Sequence, residues 1–287
     1  MYTSYWGLRE EPFQNLNDLR YAYLSEQHSE GLARLLYLAR GRKQGGVLTG
    51  PYGVGKSMIL ELLGQKIREA GQSRFVRIDA PPGGSAAFVR HLLWALGYDR
   101  ASPDPAEALQ LLGAPCAPSA DTPAHTVIAV DEAQMIHDHS TYEFLHLLTN
   151  LRATAASGAS GFPAFTLLLC GHGELMNALF REQSLCQRLS LVWKLEPLDE
   201  RQTGEYIHYR MRIAGATREV FEPEAIVAVH ATARGLPRLI NNICDLALMI
   251  GSVMQAPSIT REIVNQAVAE METPDLLRTD SLPPLAP

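Results

Sequence analysis

Gly50-Pro51-Tyr52-Gly53-Val54-Gly55-Lys56-Ser57 is the stretch whose reading decides the fold. It matches GxxxxGKS/T at every fixed position, the pattern of a loop that cradles phosphates. Its surroundings match as well. Gly45 to Gly50, with Val47 and Leu48, reads as a short buried strand entering the loop. Ser57 to Ala70 reads as a helix leaving it, with Ile59, Leu62, Leu63 and Ile67 at helical spacing and Gly71 as its stop. Glycines let the backbone wind closely around a polyphosphate, and the freed N–H groups and helix N-terminus favour its negative charge. Lys56 is placed to reach the β- and γ-phosphates and the Ser57 hydroxyl to ligate Mg2+. Gly50 to Ser57, with Met58 just beyond, are therefore the expected nucleotide-holding residues.

Further strands and helices alternate around this centre. Arg74–Ala80, Thr126–Val130, Phe165–Cys170 and Leu189–Leu195 read as strands; His28–Arg40, Ser85–Leu96 and Thr141–Ala155 read as helices. Alternation of this kind predicts an α/β domain with a parallel sheet covered on both faces. The proline-rich 98–125 segment is expected to be loop with at most a short helix near Ala106–Leu112, and Ser157–Gly161 a flexible connection. After Pro197 the pattern changes to Arg201–Ala214, Pro223–Thr232, Pro237–Ser252 and Thr260–Glu270, all helical. The expected division is 1–27, an aromatic-rich, irregular segment packing on the core; 28–196, the sheet domain; 197–272, a helical lid; and 273–287, a disordered tail.

A chain of 287 residues with 46% hydrophobic and 20% charged residues is globular and long enough for one large or two moderate domains. A net charge of −6 argues against a basic nucleic-acid coat, although Arg40, Arg42 and Lys43, or Arg68, Arg74 and Arg77, are candidate basic patches. Cys116, Cys170, Cys186 and Cys244 have no metal-knuckle or redox spacing, and the expectation is reduced, buried thiols. No apolar run is long enough to span a membrane, and the start of the chain lacks the pattern of a signal peptide. The expected location is the cytoplasm.

The second chemical motif is Val127-Ile128-Ala129-Val130-Asp131-Glu132, an apolar strand that delivers carboxylates to its C-terminal end. Asp131 is expected to hold Mg2+ and Glu132 to polarise the attacking water as general base. Phe165–Cys170 is followed by His172, a candidate group near the γ-phosphate. Arg181, Arg188 and Arg201 flank the last expected strand. Arg188 is the preferred arginine finger for a neighbouring subunit's nucleotide, with Arg181 the alternative. Gly235-Leu236-Pro237-Arg238 opens a lid helix. A cation in that first turn opposes the helix dipole unless it meets a phosphate or an ion-pair partner. His137-Asp138-His139 has metal-ligand residue types, but three adjacent residues cannot converge on one ion from a helix start.

Taken in order, several motifs resemble the AAA+ ATPases of the general secretion pathway protein A family, which are related to transposition regulators and origin-recognition ATPases. The motifs are Tyr5-Trp6-Gly7-Leu8, Glu11-Pro12-Phe13, His28, the phosphate loop, Asp131-Glu132-Ala133-Gln134, Gly171-His172-Gly173-Glu174-Leu175, Gln187-Arg188-Leu189 and Gly235-Leu236-Pro237-Arg238-Leu239-Ile240-Asn241. The resemblance covers residues 1 to about 270. It implies a five-stranded P-loop (ASCE/AAA+) sheet domain with a small helical C-terminal lid, and ATP and Mg2+ as ligands. It also implies assembly into a homo-oligomeric ring or filament with the finger acting in trans. By that carry-over Lys56 and Ser57 are Walker A, Asp131 and Glu132 Walker B, His172 sensor 1, Arg188 the finger and Arg238 sensor 2. The family often has Gln at the place of His172 and Pro at that of Gly173. Its secretion members commonly continue into a membrane span and a peptidoglycan-binding domain, and this chain is expected to be the ATPase module alone. Two partner classes stay open: a protein remodelled at the expense of ATP, for example in envelope assembly, or DNA bound for target-site selection.

Overall fold

The computed structural model describes residues 2–98, 102–114, 125–153 and 161–271. The expected tail at 273–287, residues 157–160 of the expected connection, and 99–101 and 115–124 of the proline-rich segment lie outside the described residues. In chain order the elements are α1 (Tyr2–Trp6), α2 (Glu26–Arg40), β1 (Gly45–Thr49), α3 (Lys56–Ala70), β2 (Arg74–Asp79), α4 (Gly84–Ala95), α5 (Pro105–Gly113) and β3 (Thr126–Asp131). Beyond β3 come α6 (His139–Asn150), β4 (Phe165–Gly171), α7 (Gly173–Arg181), α8 (Gln183–Cys186), β5 (Leu189–Lys194), α9 (Glu200–Ile213), α10 (Pro223–Ala233), α11 (Pro237–Val253) and α12 (Arg261–Glu270). The chain divides into two compact units, one of Glu26–Gly50 and Lys56–Leu195, the other of Met1–Ser25, Pro51–Gly55 and Glu196–Pro287.

The first unit holds a five-stranded sheet in the order β2-β3-β4-β1-β5, with every pair parallel. Strands β1 and β4 are buried along their whole length, as expected of apolar runs covered on both faces. Phe88 of α4 meets Phe144 of α6 edge to face, and both are buried against Ile128 and Leu167 of the sheet. Each such side chain contributes on the order of 2 kcal/mol by leaving water. Because the strands are parallel, their C-terminal ends share one edge. The register pairs Thr49 with Gly171 and Asp79 with Asp131, which sets the phosphate loop and the Asp-Glu motif at that edge. Crossover order and carboxyl edge together make the usual ligand position of an open α/β sheet.

Two local expectations need correction. The helix expected over Thr141–Ala155 ends at Asn150, because Leu151 turns extended and Arg152 bridges Pro163 antiparallel. Residues 173–186, to which the sequence pattern assigns no element, form α7 and α8; Leu175 and Leu179, one helical turn apart, are the buried stripe of α7. Asp138 caps α6 by accepting the N–H of Thr141 at 2.9 Å, which is the use this fold makes of the His-Asp-His stretch.

The second unit is built from helices. The N-terminal segment, expected to be irregular, starts with α1 and finds its partners within this unit. Trp6 is buried and donates from Nε1 to the Leu248 carbonyl at 2.9 Å. Arg210 of α9, also buried, donates from Nε to the Pro12 carbonyl at 2.6 Å and from Nη2 to the Gln14 carbonyl at 2.9 Å. Its Nη1 reaches the Tyr206 hydroxyl at 2.7 Å and Asn241 Oδ1 at 3.2 Å, and the ring of Tyr21 lies 4.8 Å from its guanidinium carbon. A buried cation is tolerable only when its donors are met in this way. Loss of Arg210 therefore unties residues 12–14 from α9.

Candidate nucleotide site

The loop between β1 and α3 bends where glycine is needed: Gly53 and Gly55 have φ of 73° and 106°, in the left-handed region that other residues reach only at a cost. Val54 is buried and anchors the loop, while Tyr52 is exposed. Lys56 is buried and its Nζ donates to the Gly50 carbonyl at 2.9 Å, spanning the loop. Burial pulls its ammonium below the ordinary lysine range, an effect opposed by the nearby negative groups Glu132 and Asp131.

Across the sheet edge, Asp131 at the end of β3 is 1% exposed. Its Oδ2 accepts from the Ser57 hydroxyl at 2.8 Å, so the sheet brings together the two groups expected to hold Mg2+. Oxygen donors of this hard kind are the chemistry Mg2+ takes. The same Oδ2 also accepts from Arg77 Nη2 at 2.8 Å, while Arg77 Nη1 donates to Glu61 Oε1 at 2.6 Å. Arg77 is thus engaged inside the unit, and Arg74 donates to the carbonyls of Leu96 and Ala95. The basic patch expected from Arg68, Arg74 and Arg77 loses two of its members to these internal bonds. Arg42, from the other candidate patch, stacks over Phe162 at 3.7 Å. Cys170 of β4 is buried beside Asp131, and burial pushes its thiol up out of the reactive range.

Glu132 follows Asp131 with φ 51° and ψ 36°, a left-handed conformation for a residue with a side chain. Its carboxylate accepts from the side-chain amide of Gln134. His172 caps α7, with its N–H donating to Gln134 Oε1 at 3.3 Å and its Nδ1 accepting from the Glu174 N–H at 3.4 Å. Ser57, Asp131, Glu132 and His172 thus all lie at the carboxyl edge of the sheet. Arg188 lies just before β5 and is partly buried, and Arg181 ends α7 exposed. Among the described residues no hydrogen bond or ion pair engages either guanidinium. In the helical unit, the exposed Arg238 has its backbone N–H 3.3 Å from the Gly53 carbonyl, and a Cβ added to Gly53 would stand 2.7 Å from Arg238 Cβ. No ion-pair partner of Arg238 is seen among the described residues. Sequence reasoning gives no role to Gln134 or to the Arg77 contact with Asp131. Gln134 closes the Asp-Glu-Ala-Gln motif, but its role, like that of Arg77, depends on partners brought by other elements.

Residues 39–179 match the family model described as "AAA domain". This match spans the parallel strands from β1 to β4 and the loop just described, so the sheet unit carries an AAA domain. Over 281 residues, 94% of its length, it is 29% identical to general secretion pathway protein A of Aeromonas hydrophila, and it covers 48% of that relative, about half its length. In fold it is similar to the ORC2 protein of Aeropyrum pernix solved as ADPNP-ADP complexes, with TM-score 0.66, 17% identity, and coverage of 91% of this chain and 71% of that one. It is likewise similar to Drosophila ORC bound to DNA, with TM-score 0.68, 18% identity, and coverage of 92% and 65%. No helix among the described residues is long and apolar enough to cross a membrane.

Proposed function

We propose that the carboxyl edge of the sheet binds and hydrolyses Mg2+-ATP, and that turnover drives assembly or remodelling of a protein partner by a homo-oligomer. The observation that carries the reading is the Ser57–Asp131 hydrogen bond of 2.8 Å beside Glu132, a hydroxyl and two carboxylates drawn from separate elements to one edge. In this reading the loop amides and Lys56 hold the phosphates, with Gly50 to Met58 forming the cradle. Ser57 and Asp131 hold Mg2+, which when bound neutralises charge on the β- and γ-phosphates. Glu132 takes a proton from the attacking water, and His172 stands near the same oxygen. Arg238, whose backbone N–H meets the Gly53 carbonyl of the phosphate loop, senses the nucleotide. Arg188, with Arg181 as the alternative, completes a neighbouring subunit's site. Among the described residues no hydrogen bond or ion pair engages its guanidinium, which is consistent with that use. The dependence on ATP and the free thiols Cys170 and Cys244 fit a cytoplasmic setting. A contribution to secretion or envelope machinery is suggested by the Aeromonas relative.

Mixing subunits tests the trans arrangement. Arg188→Ala retains the phosphate loop and lacks the finger; Lys56→Ala has the reverse defect. Each alone should be inactive, and their mixture should recover part of the wild-type turnover. A mixture as inactive as its components argues that Arg188 does not act in trans. The DNA reading is favoured by the likeness to Drosophila ORC, solved with DNA, and weakened by the internal engagement of Arg74 and Arg77. Duplex DNA added at low salt should leave ATP turnover and sedimentation unchanged; a salt-sensitive rise in either supports DNA as the partner.

A further inference from the structure

Gln134 is 5% exposed and sits in the short 3-10 turn Ala133–Met135 that follows Glu132. Its side chain is bonded at both ends. Nε2 donates to Glu132 Oε2, and Oε1 accepts from the backbone N–H of His172 at 3.3 Å. The partners fix which amide atom is which, since an ionised carboxylate only accepts and a backbone N–H only donates. The space for this amide is made by Gly171, the last residue of β4. A Cβ there would stand 2.4 Å from Gln134 Oε1. The residue it holds is strained, because Glu132 occupies left-handed backbone at φ 51°, a conformation that persists where surrounding structure over-determines it. The Glu132 N–H donates to Asp131 Oδ1 at 3.0 Å, so the backbone of Glu132 is tied on one side and its carboxylate on the other.

We propose that Gln134 is a positioning residue for hydrolysis. It aims the Glu132 carboxylate at the attacking water and ties that carboxylate to the β4–α7 turn that carries His172. The proposal rests on the reading of Glu132 as the general base. A free carboxylate on a strained turn samples several rotamers, whereas one held by a buried amide that is itself held by the β4–α7 turn has one orientation. Misplacement of a reacting group by about 1 Å can cost on the order of 100-fold in rate.

Gln134→Ala should therefore lower kcat by about 10- to 100-fold while KM and the affinity for a fluorescent ATP analogue stay within roughly threefold. In a Glu132→Gln background the same change should add no further loss, because there is no base left to aim. Gln134→Met, which keeps volume and removes both hydrogen bonds, should reproduce the loss of kcat and serves as the measurement if the alanine variant folds poorly. Unchanged or raised kcat in Gln134→Met overturns the proposal, as does an equal loss of kcat and nucleotide affinity, which would mark a structural role. Glu132→Gln is measured alongside. If that single change leaves turnover intact, the base assignment has failed. If it abolishes turnover while Gln134→Met is normal, only the positioning role has failed.

Discussion

The two ends of strands β3 and β4 carry buried polar clusters of similar depth and opposite character. At the amino end, His125 is fully buried, its Nδ1 2.8 Å from the Ser73 hydroxyl and its Nε2 3.0 Å from the Thr166 hydroxyl, and Thr166 donates onward to the Lys43 carbonyl. The cluster closes on itself and joins the strand ends. At the carboxyl end, Lys56, Asp131, Glu132 and Gln134 combine a buried cation, two carboxylates and a left-handed backbone at Glu132. Burial and hydrogen bonding are common to both ends, so neither identifies function. Charge and strain set the second end apart, because both cost stability and persist where something else requires them.

The largest expected break in this comparison comes from Lys56→Ala. It should raise the dissociation constant for ATP at least about 100-fold, the loss of charge-assisted bonds worth roughly 3 kcal/mol. Equilibrium binding of a labelled nucleotide measures it. Stability should fall little, because the removed ammonium was held buried against its preference for water.

His125→Phe should do the reverse. It strands the Ser73 hydroxyl and distorts a packed site, costing about 2–4 kcal/mol in urea unfolding, while kcat of the folded protein stays at the wild-type level.

The same residue sets a pH dependence. Burial, aided by the charge of Arg42, lowers the His125 pKa to about 4 from its ordinary 6.5. The unfolded chain binds the proton more readily, so the stabilisation is complete above pH 6.5 and is lost as pH falls through that value towards 4. The size is roughly 3 kcal/mol at 1.36 kcal/mol per pKa unit. Subtracting the stability–pH curve of His125→Phe from that of the wild type isolates it. Ser73→Ala is the mildest change, at about 1 kcal/mol of stability with no effect on turnover.

Much of the carboxyl end is legible in the sequence, since its signals are local. A glycine loop between an apolar strand and a periodic helix specifies its own geometry, and an apolar strand ending in Asp131-Glu132 states where the carboxylates emerge. The amino-end cluster leaves no such mark, because Ser73, His125 and Thr166 meet only after three strands align. Arg77 reads as surface for the same reason; its partner Asp131 lies on the neighbouring strand. Helix α1 is too short for periodicity to show and is stabilised by the contact of Trp6 with Leu248. Helix α7 has its stripe in Leu175 and Leu179, hidden behind the Gly171-His172-Gly173 run that reads as a loop.

The central claim is that Glu132, at the strained end of β3, activates the water that cleaves ATP. The direct measurement is single-turnover hydrolysis by Glu132→Gln beside its equilibrium affinity for ATP. The claim predicts nucleotide bound with near wild-type affinity and cleaved at least about 100-fold more slowly. Cleavage at the wild-type rate by the fully bound variant would contradict it.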